Sequence, residues 1–159
     1  MAYLDIITLA DAKVYLRIDD TLTEDDAQIT RMINAALSYV ERYTNHVLFA
    51  QDKEYRWIDG CVSVYDHPVN SEVPADLVVE HKTLHKNYSL GTDKSLIELN
   101  VGYTLPADVP QELIEVAYEL IESLYYEKET NKSIQSRIST ISELMLNQYK
   151  RFIVWEQEA

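Results

Sequence analysis

Glu112, Glu115, Glu119 and Glu122 recur at three- and four-residue steps within the stretch from Pro106 to Glu129. On a helix this spacing lines four carboxylates along one face, and paired carboxylates are groups that acid–base catalysis uses. The ordinary alternative is the solvated side of an amphipathic helix, or a side that lines a polar interface. Catalysis would need companions, and the chain offers few. Cys61, the single cysteine, has no activating histidine beside it in sequence and reads as a structural thiol. The only glycines are Gly60, Gly91 and Gly102, so there is neither a phosphate-cradling loop nor a dinucleotide fingerprint, and no Gly-x-Ser-x-Gly elbow occurs.

Metal chemistry fares no better. His81 and His85 have the spacing of two ligands on one helix turn, but the segment around them reads as extended, and Lys82 stands where the HExxH motif needs glutamate. Asp19, Asp20, Glu24, Asp25 and Asp26 form an acidic cluster without the alternating ligands and mid-loop glycine of an EF-hand. A solvated loop running into a helix cap accounts for them. The residues therefore assign no catalytic group, no metal ligand and no cofactor, and an enzyme is the least supported class.

The elements that would position these residues are mostly helical. Thr8, with Asp11 at N3, caps a helix through Arg17, in which Leu9, Ala12, Tyr15 and Leu16 keep helical spacing. Thr23, with Asp26 at N3, caps a second helix whose stripe is Ile29, Ile33, Ala36, Leu37, Val40 and Tyr43, with Asn45 as a left-handed C-cap. Beyond Val47 the period becomes twofold. Tyr55 and Trp57 alternate with polar residues, Asp59-Gly60 intervenes, and alternation resumes from Cys61 to Tyr65, which is a hairpin signal. Prolines 68 and 74 mark Asp66–Asp76 as loop, Leu77–Leu84 reads as extended, and Ser89–Lys94 reads as a turn. Ile97, Leu99, Val101 and Tyr103 alternate on a good strand.

The central helix follows, with Asp108 as N-cap, Gln111 at N3 and Pro110 in the first turn, and it runs to Glu129. Leu113, Ile114, Val116, Ala117, Leu120, Ile121, Leu124 and Tyr125 make so wide an apolar arc that it must pack on two sides or more. After a polar break at Thr130–Ser133, Ile134, Ile138, Ile141, Met145, Tyr149 and Phe152 keep helical spacing toward an apolar end at Trp155. Exposed apolar residues there would dock on the body or on a partner. The expected fold class is mainly α with a small β portion: a bundle of about four helices with an inserted β-hairpin or small antiparallel sheet. The whole chain, 1–159, reads as one domain, with 133–159 as a C-terminal helix and tail that could dock a partner.

Charge narrows the partners. With 14 basic and 27 acidic residues the net charge is −13, which repels polyphosphate and disfavours free nucleic-acid binding. Basic partners, or a passage to which DNA must not stick, suit such a chain. Twelve tyrosines offer contact area with a polar tip, as protein interfaces do, although ordinary core and surface aromatics would look the same by composition. No apolar run approaches the ~20 residues of a membrane span, and the N-terminus lacks a signal-peptide pattern. These features lead to the expectation of a cytosolic protein.

Two stretches carry a resemblance. Ile7–Asn45 has a short capped helix, an acidic loop and a longer helix ending Tyr-Thr-Asn; Val101–Glu129 has a strand ending Gly-Tyr that leads through prolines into a helix finishing Leu-Tyr-Tyr-Glu. In this order, with Asp66–Ser71 (DHPVNS) between them, the chain resembles the gp6-like head–tail connector (adaptor, head-completion) proteins of tailed bacteriophages. The resemblance implies a virion neck protein, assembled in the bacterial host cytoplasm, that forms a ring of identical copies, commonly dodecameric. It further implies a ring seated beneath the portal protein, extending the DNA channel and giving a platform to the downstream stopper or tail protein. DNA would pass without sequence-specific binding.

In that reading Ile138, Met145, Tyr149, Phe152 and Trp155 are the candidate partner or subunit interface. Glu112, Glu115, Glu119 and Glu122 are a strip facing a neighbouring subunit or the channel. Two alternatives stay open from sequence. One is a stopper or tail-completion protein lower in the neck, and the other is an acidic inhibitor that mimics DNA charge, capturing a basic partner with steep salt dependence.

Overall fold

The computed structural model describes residues 2–56, 61–64, 66–70, 77–80, 83–86, 96–126 and 138–150. Two long helices set its frame. Helix α3, Asp26–Thr44, buries Ile29, Ile33, Ala36, Leu37 and Val40, the stripe expected from their spacing. Asn45 ends it in the left-handed conformation, φ 58°. Helix α4, Gln111–Tyr126, lays Leu113, Val116, Ala117, Leu120 and Ile121 against the same core. The two run antiparallel. At one end Tyr125 donates to Asp25 Oδ2 (2.7 Å); at the other, Tyr149 bridges His46, which follows α3, and Glu112 in the first turn of α4.

Three shorter helices close the bundle. Helix α1, Tyr3–Ile6, precedes α2, Leu9–Leu16, which Thr8 caps by accepting from the Asp11 amide (3.1 Å). Helix α5, Thr140–Tyr149, is capped by Ser139 and buries Leu146 against α3 and α4. Ile7, Ala12, Leu16 and Leu146 complete one continuous core, each at most 1% exposed. Sequence spacing alone does not single out α1, because four residues are too few to show a period.

Among the described residues five strands lie between α3 and α4. Gln51–Arg56 (β1) pairs antiparallel with Leu96–Val101 (β5), setting Gln51 opposite Val101. Cys61–Ser63 (β2) and Leu77–Glu80 (β3) flank Thr83–Lys86 (β4) in a second antiparallel sheet. The fold is thus mainly α with a small β portion. The ladders differ from the simplest hairpin: among the described residues β1 is joined to β5 and β2 to β4, while Asp59-Gly60 and Ser89–Lys94 lie outside them. Register follows burial. Leu99 and Val101 pack with Val47 and Val64 in a small second core that Tyr55 and Ile97 cover.

Gly102 knits this core to the bundle. It has φ +109°, its amide donates to Pro68 O (2.7 Å), and an added Cβ would run into the Phe49 carbonyl. Either side of it, Tyr103 donates to Val47 O (3.2 Å) and Asn70 to Asn100 O (2.8 Å). Here glycine is required both by backbone conformation and by space.

Two helix starts move from their expected places. Asp108 turns its carboxylate back to the Leu105 amide and the Thr104 hydroxyl, closing the 3₁₀ turn Pro106–Asp108, so α4 begins only after Pro110, whose carbonyl takes the first amide bonds. Likewise Thr23 contributes its carbonyl rather than its side chain, and α3 starts at Asp26. The reason is Lys13, which pulls that carboxylate inward (Nζ–Oδ1 2.5 Å).

Candidate functional site

The acidic face of α4 divides in two. Toward α5, Glu119 accepts from the Ser139 amide (3.1 Å) and hydroxyl (3.3 Å) and from the Ser142 hydroxyl, so it anchors the α5 N-terminus to the bundle. About two turns earlier, Glu112 accepts from Tyr149 (3.0 Å) at the other end of α5. These two carboxylates hold an intramolecular seam. Glu115 and Glu122 lie toward α2. Both are exposed; Glu115 accepts from Gln111 (2.8 Å), and Glu122 borders a cleft.

That cleft, of about 570 Å³, is lined by Tyr15, Leu16, Arg17, Glu122 and Tyr126, where α2 and α4 both end. Tyr126 donates to Leu16 O (2.7 Å) yet stays 62% exposed, and Tyr15 stacks on Tyr118 with centroids 4.7 Å apart. The C-terminus of α2 brings partial negative charge here. Burial, followed by Glu122, Glu115 and Glu119, pushes the Tyr15 hydroxyl above its usual pKa, so the local potential is negative despite Arg17.

Above the cleft the acidic loop Asp19–Asp26 is closed from inside. Lys13, its side chain 5% exposed, reaches Asp26 and the carbonyls of Leu22 (2.7 Å) and Asp20 (3.4 Å). Asp19 accepts from the Thr21 amide (2.9 Å) and hydroxyl (2.7 Å), which draws its pKa down. The loop thus carries its own cation in an ammonium group, and among the described residues no cluster of potential metal ligands forms. A signal for this exists in the sequence: Lys13 falls at core spacing from Leu9 and Leu16, and a lysine there must find an internal acceptor.

The C-terminal stripe is placed in part. Ile138, Met145 and Tyr149 pack half-buried against the subunit's own core, whereas Ile141 and Leu144 face outward at 67% and 60% exposure. Phe152 and Trp155 lie outside the described residues, as do His81 and the side chains of His85 and Cys61. Tyr149 also meets His46 edge-on (5.7 Å); His46, 6% exposed, has Nδ1 2.8 Å from the Tyr103 hydroxyl. Helix α5 is therefore pinned at both ends.

Seam, cleft and loop are contacts and surfaces. A family model for the phage gp6-like head–tail connector protein matches residues 6–153. The chain belongs to that family. It is a structural family, not an enzyme class, and the protein is accordingly a phage head–tail connector structural protein.

Solved structures repeat the fold. The connector aligns with a chain from the virion of a native gene transfer agent (GTA) particle at TM-score 0.71 and 14% identity, covering 95% of this chain and 92% of that one. A chain from the neck of an empty GTA particle computed with C6 symmetry gives TM-score 0.70 and 15% identity, with coverage of 98% and 95%. Comparison with curated proteins returns no match.

Proposed function

We propose that the connector assembles in the host cytoplasm into a ring of identical copies, a dodecamer, beneath the portal at the DNA-exit vertex of the virion. There it extends the DNA channel and presents a platform to the next neck or tail protein. Family membership over residues 6–153 carries the reading. One structural neighbour comes from a neck computed with C6 symmetry, and a dodecamer is compatible with a sixfold axis. The net charge of −13 supports it as well, because a conduit for DNA should not hold phosphate.

Portal docking falls to the C-terminal segment. With Ile138, Met145 and Tyr149 packed on the body, docking would draw on Phe152 and Trp155 together with the outward-facing Ile141 and Leu144. The test is native mass and imaging of the full chain with and without portal, repeated after deletion of Arg151–Ala159. We expect a ring on portal for the full chain and a folded, non-docking subunit for the truncation. Unchanged docking of the truncated chain removes the role of the tail; the absence of any ring with portal removes the function.

A further inference from the structure

A closed ring of identical chains needs two different, complementary patches on each copy. We infer that in the connector these are the Tyr15–Glu122–Tyr126 cleft of one copy and Arg31, on the outer face of α3, of the next. The inference rests on the ring reading above and names the contact that closes it.

Three observations place the pair. First, α3 and α4 bury facing sides against each other, so the exposed residues Arg31, Asn34 and Arg42 of α3 point away from the exposed Glu115 and Glu122 of α4. Patches on opposite flanks give a head-to-tail contact, the kind that propagates around a ring. Second, both lie at one level. The Tyr125–Asp25 bond puts the α4 C-terminus beside the α3 N-terminus, and both Arg31 and Glu122 sit within about 8 Å of that end along their helices. Neighbours related by an axis along the bundle meet at equal heights.

Third, the chemistry is complementary. Arg31 is exposed and in no ion pair with a described residue; Arg42, by contrast, is drawn back to Ser38 O (3.3 Å). The cleft offers a carboxylate, the C-terminus of α2 and the rings of Tyr15 and Tyr126. A guanidinium can pair with carboxylate while its plane lies on a tyrosine face, a fit that lysine does not match. The cleft's own Arg17 sets the register: it repels a second cation at the α2 side and steers the incoming one to Glu122.

The experiment is a charge swap in the full chain, read by native mass and imaging on portal, with circular dichroism as a fold control. Arg31→Glu and Glu122→Arg each put like charges together and should weaken subunit association tenfold or more per contact. The double variant should restore rings. In a Cys61→Ser background, mixing Arg31→Cys with Glu122→Cys protein should give more oxidised dimer than either variant gives alone. Single reversals that assemble like wild type, or losses the double variant does not rescue, overturn the contact while leaving the ring reading in place. Should Lys128→Glu or Lys132→Glu abolish assembly while Arg31→Glu does not, the cleft takes the chain's own 127–137 segment and the inference falls. If the wild-type chain forms no ring with portal, the underlying reading fails, and this contact with it.

Discussion

Replacing Lys13 with methionine isolates the internal cation of the acidic loop, since methionine keeps the apolar stem and removes only the charge. One ion pair, with Asp26 Oδ1 at 2.5 Å, and two hydrogen bonds, to Leu22 O at 2.7 Å and Asp20 O at 3.4 Å, are lost. Breaking a fully buried ion pair costs about 3–5 kcal/mol. The Asp26 side chain is 28% exposed, however, so water recovers part of this and the lower end applies. The two carbonyls belong to an exposed loop and regain water bonds cheaply. The expected loss is about 2–3 kcal/mol, or on the order of 4–12 °C in Tm for a chain of this size. Urea unfolding of Lys13→Met, Asp26→Asn and the double variant measures it, with a coupling of at least about 1 kcal/mol expected. A single-variant loss under about 0.5 kcal/mol, or strict additivity, refutes the view that Lys13 organises the loop.

Further outcomes follow from the same geometry. Gly102→Ala should cost about 3 kcal/mol or more in thermal unfolding, combining backbone strain at φ +109° with collision against the Phe49 carbonyl. Glu119→Ala should cost about 1–3 kcal/mol and speed amide exchange across Thr140–Tyr149, whereas Glu115→Gln should stay within about 0.5 kcal/mol. Burial and the bond to Glu41 push the Tyr3 hydroxyl up to about 12, and burial with Asp66 pushes Tyr55 up as well. Because the folded pKa exceeds the unfolded value of 10.0, the stabilisation is complete below pH 10 and is lost as pH rises toward 12. Tyr3→Phe and Tyr55→Phe should therefore flatten the alkaline limb of a stability–pH curve, and an unchanged limb speaks against both bonds.

Periodic features of this fold can be read without coordinates because burial imposes them repeatedly. Ile29 to Val40 and Leu113 to Ile121 each give several chances to see one face, and Leu99 and Val101 do so for β5. The local caps Thr8 and Asn45 are equally legible, since their acceptor and left-handed roles depend on neighbours only. What escapes is decided by contacts distant in sequence. Asp108 and Thr23 are sound N-caps in isolation, yet a 3₁₀ turn claims one and the pull of Lys13 on Asp26 displaces the other. Strand pairing escapes for the same reason: β1 and β5 lie forty residues apart between nearest ends, with nothing local to name the partner. In the four-glutamate row, spacing shows the shared face but cannot tell Glu119, committed to α5, from Glu122, exposed at the cleft.

That division changes how the charge of −13 should be understood. Several carboxylates are spent inside the subunit: Glu41 receives Tyr3 and the Leu48 amide, Asp66 receives Lys53 and Tyr55, Asp25 receives Tyr125, and Glu119 holds α5. Neutralising Glu41, Asp66 or Glu119, each of which accepts through both oxygens, takes away an acceptor, so a defect in assembly would follow from a damaged fold. Glu115 and Glu122 bond no other element of the described structure, and changing them leaves the bundle's internal bonds intact. An electrostatic role in a ring or a DNA conduit must therefore rest on the second group. A Gln scan that lowers stability for the first group and alters only assembly or DNA passage for the second would separate the two uses of acidity. Uniform effects across both groups would mean that the field of the whole surface, rather than particular carboxylates, governs how the connector meets its neighbours.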